Sequence, residues 1–281
     1  VSYKVYEANP WHWFIQMDNY GTKDRRYTPR LGFVNTNLMG YDDQLIIYYQ
    51  APWEKGLEDR YSLYGSYDFP IMGPKLRLML FGAYNQFEIE GGGGIDFLGN
   101  GSQVGAELRY NVCQKDNWFF DVVSSLSHEK SRVSSTLFDA VLGSEVWMNL
   151  WGVGVDLHKR TDMANTSVTY DHVMAVNASS QQSFNDARSG GADDEFSIDT
   201  VSFYHSQYLD EKKIQRLLGS VRWIVPNARM MPAKATIFGG MYSVRGYRES
   251  GIVADGGILA SIQYEYDLVK HGAVEGIKEA S

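Results

Sequence analysis

Strict two-residue alternation of apolar and polar side chains recurs along most of this chain, and it restricts the fold more than any other feature. The cleanest case is 103–112, where Val104, Ala106, Leu108, Tyr110 and Val112 interleave with Gln103, Gly105, Glu107, Arg109 and Asn111. Near the C-terminal end, Ile258, Ala260, Ile262, Tyr264, Tyr266 and Leu268 share one face, while Ser261, Gln263, Glu265 and Asp267 share the other. A period of two is a strand with one oily and one wet side. The same reading predicts strands at 11–18, 30–38, 44–51, 60–69, 76–84, 118–128, 145–157, 164–176, 196–208 and 214–225. That makes twelve. The least regular is 196–208, whose alternation breaks at Phe203-Tyr204.

The connections follow a rhythm of their own. Short turns fall at 39–43, 70–74, 113–117, 158–163 and 209–213. Between them lie longer segments at 19–29, 52–59, 88–102, 129–144, 177–195 and 226–256. Short and long alternate throughout, as they do when every second connection sits on one rim of a meander. Greek-key crossovers of a β-sandwich would break that rhythm. Strands of about ten residues, tilted about 40°, span about 25 Å, the height of a lipid-facing band. No run of about 18 apolar residues exists, so helical spans are excluded. In hydrocarbon an unpaired backbone group costs several kcal/mol, which forces strands into a closed wall. The expected fold is therefore all-β: a transmembrane antiparallel β-barrel of up-and-down topology. The long connections read as polar loops, Gly91–Gly94 among them as a floppy one, and only 270–281 has any helical character.

Composition agrees where it speaks. Aromatic residues make up 14% of the chain, with 19 Tyr and 7 Trp. Trp13, Trp118, Trp147, Trp151 and Trp223 suit interfacial girdles; core aromatics of a soluble sandwich are the competing reading. The net charge of −8 leaves no basic stripe for nucleic acid. Cys113 is the single cysteine, so an internal disulfide and a Cys-based zinc site are both excluded.

One segment carries a family resemblance. Phe238-Gly239-Gly240 opens it, Tyr242-Ser243-Val244-Arg245-Gly246-Tyr247-Arg248-Glu249 is its centre, and Gly256-Gly257 lead into the final alternating strand. This resembles the sixth-loop motif of outer-membrane polypeptide-transport barrels. BamA-type assembly factors and two-partner secretion transporters share it, and the form here is most similar to transporters that export haemolysins and adhesins. The resemblance implies a barrel of about sixteen strands, of which about twelve are present. Residues 1–281 would then be part of the barrel domain, with the motif loop at 226–256. The N-terminal polypeptide-transport-associated domains and the last strands are expected to lie outside it.

The same resemblance implies that Val244, Arg245, Gly246 and Tyr247 fold into the lumen, with Arg245 paired to acids of the wall. A guanidinium fork suits that task because it holds two carboxylate oxygens at once. Glu265 and Asp267, on the wet face of the adjoining strand, are the candidate partners. A solvated arginine in a surface loop is the plainer alternative. Arg60, Asp68, Glu107, Arg109 and Arg222, with Arg77, are candidate lumen-lining residues, although polar inward faces occur in any barrel. No His-Glu-X-X-His or Gly-X-Ser-X-Gly pattern is present, so no catalytic residue, metal ligand or cofactor is assigned.

The function implied is an outer-membrane pore in a Gram-negative-type bacterium. It would pass an unfolded exoprotein of the haemolysin or adhesin type to the cell surface, gated by the inward loop. Its partners would be that exoprotein and outer-membrane lipid, without nucleic acid, and the pore would be a monomer. A BamA-like insertase, a passive porin and a barrel hydrolase are the alternatives.

Overall fold

Side chains that alternate along every strand can share one oily face only if neighbouring strands keep register, and they do apart from shifts at Asn111/Cys113 and Asn149/Leu150. The structure, a computed structural model, describes residues 9–18, 27–53, 61–90, 96–135, 144–188, 190–239, 244 and 252–271. Eleven consecutive strands come first: β1 (Trp11–Asp18), β2 (Thr28–Asn35), β3 (Gln44–Gln50), β4 (Ser62–Pro70), β5 (Leu76–Glu90), β6 (Asp96–Lys115), β7 (Trp118–Ser135), β8 (Ser144–Arg160), β9 (Ala164–Ala178), β10 (Ser197–Tyr208) and β11 (Gln215–Pro226). A short hairpin, β12 (Thr236–Phe238) and β13 (Ile252–Ala254), precedes the last long strand, β14 (Gly257–Tyr266). The long strands form a single 12-stranded antiparallel meander in sequence order, with β14 beside β11. β1 and β14 are its two edges, and they do not pair with each other among the described residues.

Every predicted strand is present. The strand expected at 30–38 is shifted to Thr28–Asn35, because the Asn35 side chain accepts from the Asn37 amide at 2.9 Å and opens the turn early. The larger correction concerns the long connections. Most of 88–102 and half of 129–144 is strand, since β5 pairs with β6 out to Glu90 and Asp96, β7 runs to Ser135 and β8 starts at Ser144. Beyond a lipid band both faces are wet, so the oily alternation fades while the backbone ladder continues. Gly91–Gly94 and the tail beyond His271 lie outside the described residues.

The faces separate cleanly. Ile262, Ile15 and Trp13 are 84%, 81% and 71% exposed, and Leu31, Leu63, Val104, Leu126 and Trp223 share their outward side. In water, contiguous apolar patches beyond a few hundred Å² are rare on monomers. A band covering twelve strands suits lipid. All five tryptophans named above point outward with it; none packs in a core between two sheets, so the sandwich reading fails. Trp151 donates to Ser124 at 3.2 Å, and Lys159 lies 5.2 Å from the Trp118 ring centre, the polar tips that interfacial aromatics need.

The short-turn rim is held by buried or capped acids. Asp43 accepts from the amides of Met39 (3.0 Å) and Tyr41 (3.2 Å) and from the Tyr67 hydroxyl (2.9 Å). Burial pushes its carboxyl up, but those three donors outweigh burial and leave it below the usual carboxylate range. Asp210 is lowered chiefly by the Gln215 amide at 2.7 Å, and Asp267 chiefly by the Lys270 amide at 2.9 Å. A depressed acid contributes stability that is complete above its unfolded value, about 3.9, and is lost as pH falls through the lower folded value. Acidification below about pH 4 should therefore free these turns. Amide hydrogen exchange at Tyr41, Gln215 and Lys270 should quicken there, and Asp43→Asn should abolish the pH response at Tyr41 alone.

Candidate functional site: a plugged inner wall

On the inward face, β6, β7 and β8 place polar side chains side by side. The register sets Asn111 opposite Asp121, and Asp121 opposite Asp156. Arg109 reaches Glu107 at 3.3 Å, Asp156 at 3.2 Å and Asp121 at 3.5 Å. Asn111 donates to Asp121 at 2.6 Å, and Phe119 stacks flat on His158 with ring centres 4.7 Å apart. Asp121, Asp156 and His158 bring ligand atoms within 4.8 Å of one another. Arg109 already supplies positive charge to both carboxylates, so the cluster is an ion-pair network of the wall.

Above this network the wall is covered. The connection expected at 177–195 as a polar loop starts after Ala178, turns inward and forms a short helix, α1 (Gln181–Ala187). Ser180 caps it by accepting from the Ser183 amide. Seven residues cannot hold a helix in water by themselves. Here the tertiary contact does it: Phe184 is fully buried, packed in one cluster with Val146, Met148 and Leu150 of β8 and with Ala192, Phe196, Met230 and Met231. Met230 and Met231 belong to the next long connection, so two loops share one apolar core inside the curve of the sheet.

That second connection is the one bearing the Val-Arg-Gly-Tyr motif. Its outgoing arm reaches β7, where Lys234 pairs with Glu129 at 2.5 Å. β12 then pairs with β13, Phe238 opposite Ile252. The motif glycines explain how the hairpin fits. A Cβ on Gly257 would lie 2.9 Å from the Phe238 ring, and one on Gly256 would lie 2.5 Å from the Ile224 carbonyl oxygen. Only glycines let the loop base lie against the wall so closely. A cavity of about 470 Å³ remains between Pro232, Met231 and the β5–β8 wall, beside Glu129.

The predicted residues fall out as follows. Glu107 and Arg109 are in the network. Asp68 sits at the short-turn rim, where it accepts from Arg77 Nε at 2.5 Å, and Arg77 also holds Asp42 at 2.9 Å. Arg222 is exposed on the inner face of β11, opposite Ser202 and Leu259. Glu265 accepts from Arg216 Nε at 2.8 Å, and Asp267 caps the turn after β14. Val244 is described, whereas Arg60, Arg245, Gly246 and Tyr247 lie outside the described residues. Sequence reasoning missed Asp121 and Asp156, which the meander register alone brings beside Arg109. It also missed Phe184, Arg188 and Asp255, for which no local pattern exists.

Residues 1–267 match the profile of the haemolysin secretion/activation protein ShlB/FhaC/HecB. The chain belongs to that family. No curated protein matches the sequence. Among solved structures, the ShlB/FhaC/HecB-family chain is similar to CdiB from Escherichia coli, with a TM-score of 0.76 at 12% identity over 93% of this chain and 49% of that one. CdiB from Acinetobacter baumannii follows at 0.70 and 16% identity, over 92% and 46%. BamA from Haemophilus ducreyi lacking POTRA domains 1-3 superposes at 0.54 and 12% identity, over 88% and 47%. These likenesses establish the barrel fold, and the family member spans about half the length of the chains it matches.

Proposed function

We propose that this chain forms the wall and gate of an outer-membrane pore that passes an unfolded exoprotein of the haemolysin or adhesin type to the cell surface. It works as a monomer embedded in outer-membrane lipid, and the Val244-Arg245-Gly246-Tyr247 loop is the gate. One observation carries this reading: the base of that loop, Met230 to Phe238, is folded into the lumen, with Met230 and Met231 packed on β8 and Lys234 fastened to Glu129 of β7. An extracellular flap would have no reason to bury two methionines against β8. Arg245 pairs with acids of the inner wall, Glu265 and Asp267 being the candidates on the adjoining strand. The network around Arg109, with Asp68 at the short-turn rim and Arg222 on the inner face of β11, makes the conduit polar and acidic, and Arg60 is proposed to line it too.

No nucleotide enters this scheme. Energy for export comes from folding of the exoprotein once it emerges. Deleting 240–251 from the full-length protein should leave the β12–β13 base in place, raise single-channel conductance in planar bilayers and abolish export. Unchanged conductance together with normal secretion would exclude the gate.

A further inference from the structure

We propose that the β9–β10 connection is a latch for the gate loop, and that Arg188 is the positioning residue that holds both arms of that loop closed. The proposal rests on the gated-pore reading above and adds the contact that regulates it.

Both arms meet at one guanidinium. Arg188 Nη1 donates to the carbonyl oxygen of Met230 on the outgoing arm and to the carboxylate of Asp255 on the return arm. Asp255 in turn accepts from the Met230 amide at 3.2 Å, so the two arms are also joined to each other at that point. A second seam lies beside the first. The Arg229 amide donates to Asp193 Oδ2 at 2.9 Å, the Asp193 amide donates to the Arg229 carbonyl at 2.9 Å, and Arg229 Nη1 donates to the Gly190 carbonyl at 2.9 Å.

The loop needs such an anchor. β12 and β13 have three residues each, and an isolated two-stranded ribbon is marginal in water even when longer. Side chains of Arg188 and Asp255 are 25% and 32% exposed, so the pair is largely withdrawn from solvent and is screened less than a surface pair. Phe184 then ties Arg188 to β8, because the two residues bracket the end of one short helix whose apolar side is buried. Position is thus passed from the wall, through α1, to both arms of the gate. Arg188 touches no passing chain; it acts by fixing the loop.

The test uses the full-length protein in planar bilayers, with migration on unboiled detergent gels confirming a folded barrel. Arg188→Ala and Asp255→Ala should each raise mean open-state occupancy about tenfold, the range for losing a charge-assisted hydrogen bond. The double variant should open by less than the product of the two single effects, because the Arg188–Asp255 contact is lost in both. Arg188→Lys should stay mostly closed, and Asp255→Asn should open. These two also carry the test if an alanine variant does not fold. Additive single effects, or a closed Arg188→Ala channel while the 240–251 deletion is open, would overturn the latch and leave the gate standing. A deletion variant that conducts like wild type would instead remove the gate reading itself.

Discussion

Replacing Phe184 with alanine should detach the inward plug while leaving the barrel wall intact. The ring is fully buried among Val146, Met148 and Leu150 of the wall and Met230 of the 226–256 connection. Emptying such a site costs about 3–5 kcal/mol, the usual range for Phe→Ala in a core. Against that loss stands a helix of seven residues with one capping serine, worth about 1 kcal/mol. Limited proteolysis should cut within 179–196 far faster in Phe184→Ala, and channel conductance should rise with it. Circular dichroism and the wall's unfolding midpoint should hardly move, since β8 keeps its ladders to β7 and β9. If wall and segment instead melt together, the cluster is part of the barrel's own core and the plug description is wrong.

A charge on the lipid face should have a comparably large effect on the wall itself. Val122 points outward in the middle of the spanning part of β7, in register with Tyr110 of β6 and Val155 of β8, and is 40% exposed. An arginine there would have to sit in hydrocarbon or thin the bilayer, costing about 2–4 kcal/mol near the midplane. Thr200, on the opposite face of β10 and opposite Asp171 of β9, is the matched control. Thr200→Lys puts its charge in the wet lumen beside an acid and should change stability by less than about 1 kcal/mol. Denaturant unfolding from lipid vesicles, followed by tryptophan fluorescence, should separate the two. Equal costs would mean that the two faces do not see different solvents.

The wall was readable from local pattern because each strand solves the same problem independently. Val104 to Val112 must face outward whatever the rest of the chain does, and a tight turn such as 116–117 then fixes the neighbour's register. The wet-face acids Asp121 and Asp156 were missed, because neither stands out in its own segment and only the meander register brings them beside Arg109. The ends of β5, β6 and β7 were not legible, since the ladder outlasts the hydrophobic alternation that marks it. Nor was Glu265's partner: Arg216 lies 49 residues away and meets it only because β11 and β14 are neighbours.

The amino-acid order by itself determined twelve strands, their two faces and the glycines at the base of the 226–256 connection, because alternation and close approach are properties of single segments. Only the tertiary structure decided that the connection between β9 and β10 turns inward and meets the one between β11 and β14. Its apolar residues, Phe184, Ala192 and Phe196, follow no period and bury nothing among themselves. Their partners stand on β8 and beyond β11, and Arg188 finds Asp255 across 67 residues of chain. A contact set by where two distant loops come to rest leaves no local trace, since the free energy that forms it exists only after the wall has brought them together.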